Sequence, residues 1–211
     1  MADAGGITTV TIRALAHALG MTTMSVYTHV NSRADLLVLM ADHVHEQMPL
    51  ATFGDSDWRT RLRRVAEDNL VLLRNHPWLL EVDDPRIALG PGTIAKYDHE
   101  LHALDDTPLS DLDRDAALTF VLDFVRSSAS RIRQPVATDD FGEIWEQSAA
   151  SLVNYLGDDH PLAQRVGGVA GEAMGGPHDA RRAWEFGMAR VIAGLAGLMP
   201  THPSPASQPH R

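Results

Sequence analysis

Cysteine is absent from the 211 residues. That excludes a disulfide framework, a zinc-thiolate site and a thiol nucleophile, and it suits a reducing compartment. Long hydrophobic runs are absent too. The longest uncharged apolar stretch, Val191 to Met199, is far too short to cross a bilayer, and the opening residues Met1 to Ala4 hold neither the basic nor the apolar region of a signal peptide. A soluble cytoplasmic chain with no membrane partner is expected. Acidic residues are missing from one place in particular: from Gly5 through Ala34 the only formally charged residues are Arg13 and Arg33, with His17 and His29 beside them. The whole chain nevertheless carries a net charge of −10. Nucleic-acid binders usually present a positive footprint, and here a short acid-free segment leads an acidic body. No Gly-rich phosphate loop, paired catalytic carboxylates or Ser-centred elbow is recognisable. No catalytic residue is assigned, and an enzyme is not expected.

What is present reads as helix. The composition, 44% hydrophobic and 22% charged, is that of a globular protein. Apolar residues recur at spacings of three and four, with no convincing run of period two, so an all-α fold is expected. A first helix spans about Thr11 to Leu19, with Thr11 as N-cap and Gly20 at its left-handed end. A short second helix follows from Thr22 to about His29, and Ser32 caps a third that carries Leu36, Met40 and Val44. Further helices are expected along the Trp58, Leu62, Val65, Leu72 stripe, the Ile94, Tyr97, Leu101, Leu104 stripe, Ser110 to Gln134, Thr138 to Leu156 and Asp179 to Met199. Gly167, Gly168, Gly171, Gly175 and Gly176 read as a loose loop, and the proline-rich residues 200–211 as a disordered tail. The implied organisation is a DNA-binding unit over 1–48, with its connecting helix, and a helical regulatory and dimerisation unit over 49–199.

The informative stretch runs from Thr11 to Val30. Two short helices joined by a tight Gly-containing turn make a helix-turn-helix, whose second helix enters the major groove. Ile12, Leu15, Ala16 and Leu19 are expected to face Val26 and Val30, leaving Thr22, Thr23, Ser25, Thr28 and His29 outward as small hydrogen-bonding groups. Thr-Ile-Arg-x-Leu-Ala from Thr11, Leu-Gly-Met from Leu19, Ser-Val-Tyr-Thr-His-Val from Ser25 and Asn-Ser-Arg-x-Asp-Leu-Leu from Asn31 together resemble the tetracycline-repressor (TetR) family. The resemblance continues through Asp57-Trp58, Leu72 to Pro77, Leu89 to Gly92 and Trp184 to Met188, and so covers nearly the whole chain.

The resemblance implies a homodimeric repressor that binds a palindromic double-stranded DNA operator and is released by an unknown small-molecule inducer. It implies Thr23, Met24 and Ser25 at base edges, Tyr27 and His29 against the DNA backbone, Arg13 at a base or phosphate and Arg33 clamping a phosphate; Thr11 and Thr22 complete the expected DNA-binding set. Tyr27 packing on the helix-turn-helix core and His29 as a plain surface residue remain open alternatives. The other function class left open is a small-molecule-binding or interaction protein without effective DNA binding.

In the regulatory unit, Asn69 sits on an otherwise apolar stripe and must find a partner, either a ligand or a neighbouring backbone group. Tyr97, Phe120, Phe124 and Trp145 are the aromatic candidates for the pocket. Ala88 and Val65 stand where tetracycline repressors hold a metal-binding histidine and a polar ligand contact, so tetracycline is not the expected inducer. No cofactor and no metal are expected: His43 and His45 point apart on a helix, and His99 with His102 lacks further ligands. Trp184, Met188, Val191, Leu195 and Leu198 form a heptad-like seam, with Gly187 and Gly194 permitting close approach, and this is the expected dimer interface with the Ser110 to Gln134 helix. Finally, the family begins with a helix of a dozen or more residues where only Met1 to Ala4 precede Gly5. The expectation is a start upstream of Met1 or a loosely folded DNA-binding unit with Ile12, Leu15 and Leu19 uncovered.

Overall fold

The computed structural model describes residues 1–50, 52–133, 147–148, 151, 155, 159–174 and 179–199. Among them there is no strand, and nine helices follow one another: α1 Ala2–Gly5, α2 Ile12–Ala18, α3 Thr23–Tyr27, α4 Arg33–Glu46, α5 Trp58–Asn75, α6 Pro91–Leu101, α7 Asp111–Arg133, α8 Pro161–Met174 and α9 Ala180–Ala196.

Local chemistry sets the boundaries. The hydroxyls of Thr11, Thr22 and Ser32 accept from the backbone N–H of Ala14, Ser25 and Asp35, and the carboxylates of Asp57 and Asp179 do the same for Thr60 and Arg182. Each satisfies an N-terminal amide that has no partner inside its helix. Gly20, at φ 66, reverses the chain between α2 and α3 in the left-handed region that a side chain disfavours.

Two apolar clusters hold the molecule together. The first gathers Ile7, Val10, Ile12, Ala16, Val26, Val30, Leu36 and Leu37 from the leading lobe, and it is closed from below by Leu72, Trp78, Leu79 and Val82. The core of the leading lobe therefore crosses residue 48 and borrows its floor from the end of α5 and the 3-10 turn Pro77–Glu81. Asp3 adds a polar hook, accepting from Trp78 Nε1 at 2.7 Å and bonding His76 Nδ1 at 2.9 Å. The second cluster packs α5, α7 and α9 around Leu62, Leu118, Val121, Val125 and Met188.

Several sequence expectations need correction. Leu19 is 59% exposed and lies outside the first core, because α2 ends at Ala18. Gly167, Gly168 and Gly171 lie within α8 instead of a loop, although each costs up to about 1 kcal/mol relative to alanine in a helix interior. The expected stripe of Ile94, Tyr97, Leu101 and Leu104 holds only in its second half: Leu101 and Leu104 pack into the second cluster, whereas Ile94 and Tyr97 are exposed and Lys96 and Glu100 are buried in their place. The heptad-like seam of α9 turns inward, for Trp184, Met188, Val191 and Leu195 are all buried in the second cluster of their own subunit. Gly187 belongs to the same internal contact, since a Cβ there would meet Phe124 Cε2 at 2.5 Å. Leu198, 61% exposed, is the seam residue left outside, and Gly194 faces open space. The expected helix from Thr138 to Leu156, Trp145 within it, Gly175, Gly176 and the tail 200–211 fall wholly or largely outside the described residues.

Candidate nucleic-acid interface and effector chamber

α2 and α3 present two kinds of polar residue. Thr11, Thr22 and Ser25 are drawn into local bonds: Thr11 and Thr22 cap their helices, Ser25 Oγ lies 3.0 Å from Thr22 Oγ1, and Thr28 Oγ1 donates back to Ser25 O at 2.6 Å. Arg13, Thr23, Tyr27 and His29 are exposed, and no described residue bonds their side chains. Met24 stands among them at 72% exposure and Tyr27 at 48%. Burial of Val26 and Val30 fixes this orientation, because the opposite side of α3 must then face outward. The outcome is a row with no acidic side chain, offering hydrogen-bond donors and acceptors and one thioether that suits a thymine methyl. Tyr27 is thus not part of the helix-turn-helix core.

Arg33 departs from its expected role. Its Nε donates to Val10 O and its Nη2 to Ile7 O, both at 2.7 Å, so the guanidinium braces the start of the lobe from the first turn of α4. A charged donor satisfying two backbone carbonyls is a strong local tie, and it directs the side chain toward the protein instead of a phosphate.

From that brace α4 runs into the regulatory lobe and meets α6 closely. A Cβ on Gly92 would come within 2.5 Å of Asp42 O, so only glycine allows this approach. Asp42 Oδ1 accepts from Thr93 N at 2.8 Å and from Thr93 Oγ1 at 3.1 Å, capping α6 across the joint. His45 Nδ1 lies 2.8 Å from the same hydroxyl. Arg86 ties the two lobes again, binding Asp84 on one side and Asp35 of α4 at 2.5 Å on the other.

Behind the joint, between α4, α5, α6 and α7, lies a chamber of about 250 Å³. Leu72, Leu73, Leu122 and Val125 make it apolar, and His45, Asn69, Thr93, Lys96, Glu100 and Arg126 give it a polar wall. Lys96 is the only lysine in the chain, and it is buried. Its Nζ sits 2.8 Å and 2.7 Å from the two oxygens of buried Glu100. Asn69 Nδ2 donates to Glu100 Oε1 at 2.5 Å and to Val65 O at 2.9 Å. Asn69 thus has the backbone partner that was one of its two expected alternatives, a carbonyl of its own helix, and it also lines the chamber. A buried pair of this kind persists only where further hydrogen bonds complete it.

Of the other pocket candidates, Tyr97 lines the chamber but gives its hydroxyl to Asp115 at 2.7 Å, and that bond holds its pKa above the usual phenol value. Phe120 is 54% exposed on the outer side of α7, and Phe124 stacks on Trp184 with ring centroids 5.3 Å apart, so neither reaches the chamber. Sequence reasoning missed His45, Lys96, Glu100 and Arg126. Lys96 and Glu100 at i,i+4 were the available signal, but exposed salt-bridged pairs have the same spacing.

Among the described residues, no group of three or more His, Cys, Asp or Glu side chains is placed to hold a metal ion, and no helix is long and apolar enough to cross a membrane.

Residues 50–199 match the family described as tetracyclin repressor-like, C-terminal domain. The HTH-type transcriptional repressor DrrR1 of Streptomyces coeruleorubidus is 30% identical over 207 residues, which cover 94% of this chain and 74% of that protein. An HTH-type transcriptional regulator of Saccharopolyspora erythraea is 27% identical over 128 residues, covering 61% of this chain and 54% of its own length. In overall shape the chain is similar to the Streptomyces coelicolor TetR family protein ActR in complex with (S)-DNPA. The TM-score is 0.71 at 23% identity, over 93% of this chain and 92% of that one.

Proposed function

The chain belongs to the TetR family of transcriptional regulators, and from that premise we propose that it acts in the cytoplasm as a homodimeric repressor of a roughly palindromic operator, released when a small molecule fills the chamber. The observation that carries the DNA reading is the row of unbonded Thr23, Tyr27 and His29 around exposed Met24 on α3, with Arg13 beside it. α3 is the reading helix, Arg13 contacts a base or phosphate, and Thr11, Thr22 and Ser25 shape the surface they share.

The dimer forms through the outer faces of α7 and α9. Leu112 and Phe120 of α7 are 78% and 54% exposed, and Phe186 of α9 and Leu198 just beyond its C-terminal end are 66% and 61% exposed. Phe186, Arg190, Gly194 and Leu198 succeed one another four residues apart, which suits helix packing across a two-fold axis. Release follows from the route α4 takes. Its first turn braces the DNA-binding lobe through Arg33, and near its end His45 lines the chamber. A ligand that alters the α4–α6 joint therefore shifts the population of DNA-competent orientations. ActR has been captured with (S)-DNPA and with actinorhodin, which supports a small-molecule effector for a chain of this fold.

Footprinting on the DNA upstream of the protein's own gene tests the proposal. Two protected half-sites related by symmetry, centred about one helical turn or a multiple of it apart, are expected; a single unsymmetric footprint or none overturns it.

A further inference from the structure

The polar wall of the chamber has unused bonding capacity, and its chemistry selects a ligand class. Thr93 has one hydroxyl proton, which it gives to Asp42, an acceptor-only carboxylate. His45 Nδ1, 2.8 Å from the same hydroxyl, is therefore the donor of that contact. In the neutral ring this leaves Nε2 with a lone pair, and no described residue bonds it. Burial, with the charge of Lys96 beside it, lowers the His45 pKa to about 4, so the imidazole is neutral near pH 7.

Lys96 is the second open group. An ammonium has three N–H donors, and Glu100 is the one described partner of Lys96. Of the other polar groups, Asn69 spends both amide protons, Glu100 accepts on both oxygens, and Arg126 turns its Nη2 away to the carbonyls of Leu79, Leu80 and Val82. The charged and titratable groups around His45 are Asp42 on its own helix, Lys96 and Glu100 on α6, and Asp123 and Arg126 on α7; α5 contributes neutral Asn69. Asp42 and Glu100 balance Lys96 and Arg126, and exposed Asp123 lies at the rim, so the attraction for an anion is local and comes from the open N–H groups of Lys96 and the lone imidazole edge of His45.

We propose that the chamber binds an apolar monocarboxylic acid, one carboxylate oxygen accepting from Lys96 Nζ and the other from His45, which takes up a proton on Nε2 as the acid binds. The inference rests on the chamber being the effector site. An anion beside the imidazole favours its charged form and opposes the effects of burial and of Lys96. At neutral pH the acid is ionised in water, so the proton comes from bulk solvent and no other bond is made or broken. The surrounding leucines and valine receive the hydrocarbon part.

Calorimetry of the full-length protein with 1-naphthoate, in two buffers of different ionisation enthalpy, reads the proton directly. Uptake approaching about one proton per subunit near neutral pH is expected, and it should vanish in His45→Gln. Affinity should fall at least about tenfold in Lys96→Met combined with Glu100→Gln, a pair chosen so that no buried carboxylate is left unpaired. Lysine labelled with ¹³C supplies one side-chain signal for the whole chain, and that signal should shift on binding. Naphthoate binding without proton uptake, or 1-naphthalenemethanol binding equally tightly, overturns the acid assignment. Leu122→Trp, which fills the chamber, separates the two levels. If the alcohol binds the native protein but not Leu122→Trp, the chamber is the ligand site and only the acid preference is wrong. If Leu122→Trp weakens neither probe, the effector reading falls with it.

Discussion

The two apolar clusters are built differently. The largest fully buried side chains, Leu62, Leu104, Leu118, Val121, Val125 and Met188, all lie in the regulatory lobe. In the leading lobe the buried residues are small or β-branched, such as Ala16, Val10, Val26 and Val30, and Leu36 and Leu37 keep 9% and 8% exposure. Since burial stabilises by roughly 25 cal/mol per Å² of apolar surface, the regulatory lobe is the stiffer body. The leading lobe depends on Trp78, Leu79, Asp3 and Arg33 to hold it in place. A regulator gains from this division, because a weakly held reading head on a firm sensor can be reoriented by a modest free energy.

Core truncation should break the comparison most clearly. Met188→Ala or Leu118→Ala is expected to cost about 2 to 5 kcal/mol, read as a lower urea midpoint for the whole protein. Operator affinity should survive while the protein remains folded. Val26→Ala is expected to cost about 1.5 to 2.5 kcal/mol, two methyl groups plus a small cavity, yet to weaken operator binding more than either. Equal loss of DNA binding in all three would mean that the lobes do not differ as described.

The outer and inner faces of α9 offer the next contrast. Phe186→Asp with Leu198→Asp is expected to give folded monomers in sedimentation, whereas Met188→Asp should unfold the subunit by burying an unpaired charge. A dimer that survives the outer-face pair would remove these residues from the interface.

Arginine positions sharpen the picture within the leading lobe. Arg33→Ala removes two charge-assisted bonds to carbonyls and is expected to destabilise that lobe by about 1 to 3 kcal/mol, seen as faster hydrogen exchange over Ile7 to Val30, with the salt slope of operator binding unchanged. Arg13→Ala should instead lower that slope by roughly one unit if it meets a phosphate.

The smallest effect belongs to the Asp3 hook. Burial raises its carboxyl, but the bonds from His76 and Trp78 together outweigh burial and hold it below its ordinary 3.8. A depressed carboxylate stabilises fully above its unfolded pKa and loses that contribution as pH falls through the folded value. Asp3 is half exposed, so the contribution is a few tenths of a kcal/mol. The Trp78 indole N–H signal should move on acidification in the native protein and lie already displaced in Asp3→Asn.

Much of this was legible in the sequence because it depends on local chemistry. Thr11, Gly20 and Ser32 mark helix ends through their own side chains or backbone freedom, and each stands where that reasoning places it, while the helices expected from Thr22 and Asp179 start one residue later with those two as caps. The wrong assignments concern direction. A heptad of Trp184, Met188, Val191 and Leu195 shows that one face of a helix is apolar, but not whether that face meets its own subunit or another. Arg33 was assigned outward by resemblance, whereas the carbonyls of Ile7 and Val10, more than twenty residues away, claim it. Lys96 and Glu100 went unnoticed for the same reason: what covers them comes from α4, α5 and α7, which spacing along α6 does not reveal.

The most direct test of DNA recognition by α3 is fluorescence anisotropy with a duplex from the upstream region, in excess nonspecific DNA, for the native protein and for Thr23→Ala, Met24→Ala and Tyr27→Ala combined. All three side chains are exposed and no described residue bonds Thr23 or Tyr27, so circular dichroism and the unfolding midpoint should be unchanged. Specific affinity is expected to fall by at least about a hundredfold, each lost contact being worth roughly 1 to 3 kcal/mol. A triple variant that binds the duplex as tightly as the native protein would contradict the assignment of α3 as the reading helix.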